Sequence, residues 1–198
     1  MYMKISDNEI RLCENAKFIH FSTWPLSHGT SRNNTMSLLQ SAKDKGRLLC
    51  LDPNYRHILW EKGHNGVEYI KKVIGIADIV KPSAVDARHL FGEGSNEYYV
   101  DRFLELGAGL VILTLGREGA IVSDGTSLKY YDSFDGEVAD TIGAGDAFWA
   151  GFYAALLRVR TVDQAVRTGM AVSTYALKTI GSLPELPTFE EIERKYLL

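Results

Sequence analysis

The sequence has 198 residues, 45% apolar and 24% charged, a composition typical of soluble globular chains and far from disordered or fibrous ones. Its 22 Lys and Arg against 25 Asp and Glu give a net charge of −3 with no basic run longer than Lys71-Lys72, which argues against a nucleic-acid partner. The longest apolar stretch, Ala147 to Leu157, falls short of the ~20 residues a membrane span needs.

In chain order, Ala16 to Phe21 reads as a strand, the polar stretch Ser27 to Thr35 as a loop, and the segment through Lys45 as an amphipathic helix. Arg47 to Asp52 is a second strand, followed by a Pro-Asn turn and a helix through Ile74. Asp78 to Lys81 is a third, short strand. Pro82-Ser83 opens a helix through Leu90, with Ser83 as N-cap and Asp86 three positions on, a weaker relative of the capping box because Asp replaces Glu. A helix to about Leu106 precedes Leu110 to Leu115, the most strand-like run and one expected to be buried on both faces. Ala120 to Ser123 and Leu128 to Asp132 form a hairpin through Asp124-Gly125. The remainder is helical: Gly145 to Arg158, Val162 to Lys178, and a terminal helix from Phe189. Strands alternating with helices imply a mostly parallel sheet covered by helices on both faces. No internal repeat is visible. The N-terminal residues lack the basic and apolar regions of a signal peptide, and Cys13 and Cys50 show no disulfide or zinc spacing. A reducing cytoplasm is the expected compartment.

The chemistry-bearing segment is Asp140 to Phe152, DTIGAGDAFWAGF. Two glycines flank an alanine just before a long apolar helix, so backbone N–H groups converge at a helix N-terminus where the dipole favours an anion. Asp146 puts a carboxylate in that first turn. It either complements the helix dipole, worth about 0.3–1 kcal/mol, or takes a proton from an attacking hydroxyl. From this segment alone both readings stand.

The whole string D-T-x-G-A-G-D-x-F-x-x-G resembles the signature of the ribokinase-like (PfkB) carbohydrate kinases. Further segments in family order strengthen the resemblance. Asp52-Pro-Asn-Tyr-Arg56, followed by Leu59-Trp60, is similar to the D-P-N-x-R segment of the fructokinase and 2-keto-3-deoxygluconate kinase branches. Lys81-Pro-Ser-Ala-Val-Asp86 resembles K-P-N-x-x-E, Thr114-Leu-Gly-Arg-Glu-Gly119 matches T-L-G-x-x-G, and Gly181-Ser-Leu-Pro184 falls where the family places a turn near the nucleotide base. The resemblance implies a three-layer α/β/α ribokinase-like fold and ATP-dependent phosphorylation of a sugar or sugar-acid hydroxyl. Asp146 would be the general base, and Gly143, Ala144, Gly145 and the Asp146 amide the anion hole. Arg56 would reach toward substrate and phosphate. Asn54, Lys81, Ser83, Thr114, Gly116, Gly119, Met170 and Gly181 would line the nucleotide site, with fixing the turn as the competing role of Asn54. Asp86 would hold Mg²⁺ through water, and Asp140, with carbonyls such as that of Ile142, a monovalent cation such as K⁺. Ser83 stands where the family usually has Asn, and Asp86 where it has Glu. The five histidines show no metal-ligand spacing and read as surface residues.

Only 51 residues precede Asp52, none in a Gly-Gly pair, whereas family members carry a longer front part with a first strand, a Gly-Gly substrate motif and a β-sheet lid. The expectation is one kinase domain over residues 1–198 corresponding to the C-terminal two-thirds of such an enzyme, its nucleotide and catalytic-base part, lacking the N-terminal strand and lid. A sheet left open in this way should be covered by a homo-oligomer contact, by a chain supplying the front part, or by a rearranged N-terminus from Met1 to Asn15. The alternative is a non-catalytic nucleotide-binding remnant. A dinucleotide-binding oxidoreductase fits less well, because no G-x-G-x-x-G follows an early strand.

Overall fold

A computed structural model describes residues 5–181 and 186–197. The chain groups into two units. One comprises the chain up to Gly116 with Ala120–Tyr130, the other Arg117–Gly119 with the chain from Tyr131 onward.

The first unit opens with α1 (Asp7–Asn15), β1 (Phe18–Ser22), a 3-10 turn at Trp24–Ser27, α2 (Gly29–Asp44) and β2 (Leu48–Asp52). It continues through α3 (Gly66–Ile74), β3 (Ile79–Val80), α4 (Ala84–Phe91), α5 (Asn96–Glu105), β4 (Leu110–Thr114), β5 (Ala120–Ser123) and β6 (Leu128–Tyr131). The six strands lie in sequence order, β1 to β4 parallel and β5 antiparallel to β4. Strand alternation sends Leu49, Leu51, Val111 and Leu113 into one core with Leu39 and Ala42 of α2, Ile70 and Ile74 of α3, Leu90 of α4 and Phe103 of α5. Cys50 and Ile112, pointing the other way, are fully buried too. The continuous apolar run of β4 has this cause: Val111, Ile112 and Leu113 are all solvent-free.

Two local expectations need correction. The polar stretch 27–35 is mostly helix, because Ser31, Asn33 and Asn34 lie partly or fully exposed on α2 while Thr35, Leu39 and Ala42 are buried, and Ser27, in the preceding 3-10 turn, is buried too. The first fifteen residues include α1, closed by a full capping box between Ser6 and Glu9. The box at Ser83 and Asp86 is also complete in both directions, so the shorter acid still reaches the cap amide.

An ion pair ties the ends of two adjacent parallel strands. Lys81 Nζ, just past β3, lies 3.0 Å from Asp52 Oδ2 at the end of β2, with side chains only 5% and 15% exposed. Removing one partner leaves a buried charge, which is why such pairs are costly to break although replacing both can be neutral.

In the second unit α6 (Ala144–Leu157) packs on α7 (Val162–Leu177), and α8 (Phe189–Tyr196) closes a small core of Ala147, Ala171, Val172, Ala176 and Ile192. The α6–α7 approach is set by glycines: a Cβ on Gly151 would come within 2.8 Å of the Thr168 carbonyl oxygen, and one on Gly169 within 2.8 Å of that of Phe148. Helix α6 ends in a Schellman turn, with the Val159 N–H donating to Leu156 O and the Arg160 N–H to Ala155 O. The left-handed position of that turn, normally glycine, is Val159 at φ 60°, 92% exposed. Among the described residues no helix is long and apolar enough to cross a membrane.

Two stability outcomes follow from these features. Val159→Gly should stabilise the chain by about 1 kcal/mol, because a β-branched residue is strained in the left-handed region, and raise the melting temperature by roughly 2–4 °C. A thermal scan showing no rise would mean that the turn carries no strain. Lys81→Met should cost about 3–5 kcal/mol in urea unfolding, and adding Asp52→Leu should recover much of that loss. Additive losses would show that the two residues do not act as a pair.

Candidate functional site

In open α/β sheets ligands gather beyond the C-terminal ends of the parallel strands, and the first unit collects its candidate residues there. After β2 the chain makes the turn Pro53-Asn54-Tyr55-Arg56. Asn54 sits at φ 35°, an uncommon conformation for a residue with a side chain. Three hydrogen bonds brace the turn: the buried Thr23 hydroxyl donates to Pro53 O (2.6 Å), the Tyr55 N–H donates to Asp86 Oδ1 (2.9 Å), and Arg56 Nη1 donates to Tyr55 O (3.1 Å). The Tyr55 ring is buried, packed 6.5 Å from Trp60 and 6.1 Å edge-on to His89. The side chains of Asn54 and Arg56 are left facing solvent.

Asp86 lies in the first turn of α4 and is 5% exposed. Its Oδ2 accepts from the Ser83 hydroxyl (2.6 Å) and the Ser83 N–H (3.1 Å), while the Ser83 hydroxyl accepts from the Asp86 N–H (3.1 Å). Thr114, at the end of β4, pairs with the same segment: its N–H donates to Pro82 O at 2.9 Å and its hydroxyl reaches that oxygen at 3.3 Å. The Lys81 ammonium is turned to Asp52 and buried. The structure thus brings Asn54, Arg56, Lys81, Ser83, Asp86 and Thr114 to one strand-end edge. Gly116 follows at φ 63° with open space where a Cβ would stand.

The second unit holds the other set. Asp140 Oδ1 accepts the Ile142 N–H (3.0 Å), and the Asp140 and Ala139 amides donate to Leu177 O. Gly143 opens α6 in the left-handed conformation, φ 78°, and no side chain caps the helix. All α-helices among the described residues except α2 and α6 carry a side-chain cap. The first-turn amides of Gly145 and Asp146 therefore have no side-chain acceptor at the place where a helix cannot supply one of its own. Asp146 is exposed beside them, and the Ala144 carbonyl accepts from Ser173 Oγ (3.0 Å).

Other candidates have structural explanations. A Cβ on Gly119 would overlap the Tyr131 carbonyl oxygen at 1.8 Å, so this glycine is required by the chain itself. Met170 is buried in α7. Gly181 has φ 89°, and the rest of its turn, from Ser182 through Pro184, lies outside the described residues. All five histidines are exposed, and among the described residues no group of three His, Cys, Asp or Glu is placed to hold a metal ion. Sequence reasoning missed Thr23 and the Tyr55 amide as braces of the turn, because they act on residues 30 and 31 positions away.

Comparison with known proteins gives these features a family. The model of the pfkB family carbohydrate kinases matches residues 2–188. An ATP-dependent 6-phosphofructokinase of Thermoanaerobacterium thermosaccharolyticum is 45% identical over 98% of this chain and 61% of its own length. The solved structure of Halothermothrix orenii fructokinase superposes with a TM-score of 0.74 at 42% identity, covering 86% of this chain and 59% of that one. Vibrio cholerae O395 fructokinase, solved with fructose, ADP and calcium ion, gives a TM-score of 0.82 at 26% identity over 91% of this chain and 60% of its own. The chain spans about 60% of the length of these relatives. The α/β fold is ribokinase-like, and the chain belongs to the pfkB family of carbohydrate kinases.

Proposed function

We propose that this chain carries out ATP-dependent phosphoryl transfer to a hydroxyl of a sugar or sugar acid, fructose-like or 2-keto-3-deoxygluconate-like. The observation that carries the reading is the start of α6, where an uncapped helix N-terminus opened by left-handed Gly143 stands beside an exposed Asp146. Backbone donors there suit the charge on a moving phosphoryl group, and phosphoryl transfer is mostly positioning and charge stabilisation. In the reaction, Asp146 takes the proton of the acceptor hydroxyl. The freed oxygen bonds to the γ-phosphorus of ATP, and the bond to the ADP oxygen breaks. The amides of Gly143, Gly145 and Asp146 hold the negative charge on the transferred group, while that of Ala144, also expected in the anion hole, donates instead to Thr141 O at 3.3 Å. Arg56, exposed and in reach of solvent, offers its fork to substrate or phosphate oxygens, with Asn54 and Gly116 on the same strand-end edge.

Mg²⁺ keeps most of its waters and needs one or two carboxylates besides the phosphates. Three acceptor positions of Asp86 are occupied, and a carboxylate has about four, which leaves room for one metal-bound water. When bound, the ion would neutralise phosphate charge. Asp140 keeps one oxygen free of the Ile142 amide for a monovalent cation.

The test is sugar-dependent ATP turnover on a panel of ketoses and 2-keto-3-deoxy sugar acids with Mg²⁺ and K⁺. Asp146→Asn should lower turnover by about 10²–10⁴-fold and leave nucleotide affinity within a few-fold, since that affinity rests mainly on backbone groups. Turnover unchanged in the variant would remove Asp146 from the chemistry.

A further inference from the structure

We infer that Asp86 is a positioning residue: its carboxylate locks the Pro53–Arg56 turn against the start of α4 and so fixes where Asn54 and Arg56 present their side chains. This goes beyond any role in holding an ion, and its consequence for catalysis rests on the kinase reading above. A helix cap alone needs only Oδ2, which takes both Ser83 donors. Oδ1 is committed elsewhere, 2.9 Å from the amide of Tyr55, 31 positions earlier in the chain. Tyr55 and Asp86 are both buried, 6% and 5% exposed. Without Asp86 that amide would have lost its acceptor away from water, which is strongly unfavourable.

The turn needs such a brace. Asn54 holds a left-handed backbone conformation at φ 35°, and a strained residue persists only where its surroundings over-determine it. Thr23 grips Pro53 O on one side and Asp86 grips the Tyr55 N–H on the other. The Tyr55 ring is seated between Trp60 and His89. With Pro53 and Tyr55 anchored inward, the alternate residues Asn54 and Arg56 point outward. One short acid therefore joins the β2 turn, which carries the substrate-side arginine, to the Ser83 segment that pairs with Thr114 at the end of β4. The carboxylate thus meets Ser83 with one oxygen and Tyr55 with the other. Aspartate holds both at hydrogen-bond distance.

The experiment is amide hydrogen exchange on the full chain, read at Tyr55 and at the first turn of α4, in the wild type, Asp86→Ala and Ser83→Ala. In the wild type the Tyr55 amide should be protected. An unprotected Tyr55 amide overturns the proposal whether or not any variant folds. Asp86→Ala should speed Tyr55 exchange by about tenfold or more, the effect of losing a hydrogen bond to a charged acceptor. Ser83→Ala should speed exchange at the start of α4 and leave Tyr55 close to the wild type, because Oδ1 keeps its donor. Equal effects of both variants at Tyr55 would reduce Asp86 to a helix cap and overturn the proposal.

The kinetic arm uses sugar-dependent turnover. Asp86→Ala should lower kcat/KM for the sugar by about 10- to 100-fold, as displaced positioning groups do, and the loss should persist at saturating Mg²⁺, where a water-mediated hold on the ion no longer limits the rate. Recovery of the wild-type rate at high Mg²⁺ with Tyr55 protection intact would reduce the carboxylate to an ion-holding role and overturn the proposal. Should the wild type turn over no sugar, the kinase reading fails and the exchange measurement still decides the role of Asp86.

Discussion

The first unit depends on a charge pair at the edge where its parallel strands end. Parallel pairing brings the C-terminal ends of β1 to β4 to one side, with Ser22 opposite Asp52 and Leu51 opposite Val80. That edge is where a ligand can be met, and also where polar side chains are drawn partly out of water. Asp52 and Lys81 satisfy each other 3.0 Å apart. Because the ammonium of Lys81 is committed to a strand-end carboxylate, the groups presented outward are those of the following turn. The edge thus separates into an inner layer that holds the strands together and an outer layer, Asn54 and Arg56, that faces solvent.

The second unit solves a different problem. No side chain caps the start of α6, so the helix must be held in place from elsewhere. Here α6 is fixed from its body, with Gly151 and Gly169 allowing the backbones of α6 and α7 to approach until a Cβ would collide. Phe148, Trp149 and Phe152 are buried, and their rings pack edge-on or stacked within 6.5 Å of one another. Ser173 of α7 binds the Ala144 carbonyl. Rigid packing behind the first turn replaces the cap in front of it, and the Gly145 and Asp146 amides keep no side-chain acceptor.

How far the sequence disclosed this depends on the range of the interaction. Apolar runs found β1 to β5, because burial on one or both faces writes a pattern over neighbouring residues, whereas β6, exposed over Leu128 to Tyr130, was read from its β-prone residues and the Asp124-Gly125 turn before it. The hairpin and the helix starting at Ala84 followed from turn and cap chemistry confined to three or four positions. Helix α1 had the same kind of signal in Ser6 and Glu9, and was missed because its residues are too polar to show a core-facing stripe: none of them is buried. The polar start of α2 misled for a similar reason. Motif matching singled out Asp146, Arg56 and Asp86, but it could not show that the Asp86 carboxylate accepts from both Ser83 and Tyr55. That arrangement joins residues 31 positions apart, and no local pattern records it.

The segment Thr114 to Gly119 shows how a motif can hold two requirements at once. The sequence suggests that its glycines let a nucleotide approach the backbone. The structure gives each glycine its own reason. The chain leaves the first unit after Gly116 and returns to it at Ala120, and both Gly116 and Gly119 take positive φ there, which a Cβ would disfavour. Gly119 must also admit the Tyr131 carbonyl oxygen, with Ser133 Oγ closing onto Arg117 O beside it. Gly116 has open space around the missing Cβ, so its requirement is conformational and its surface remains accessible. Of the two glycines, Gly116 is the one with open space beside its backbone, and Gly119 is the one whose missing side chain the Tyr131 carbonyl requires. A substitution at Gly119 should act first through folding, whereas one at Gly116 acts at the edge that also carries Thr114.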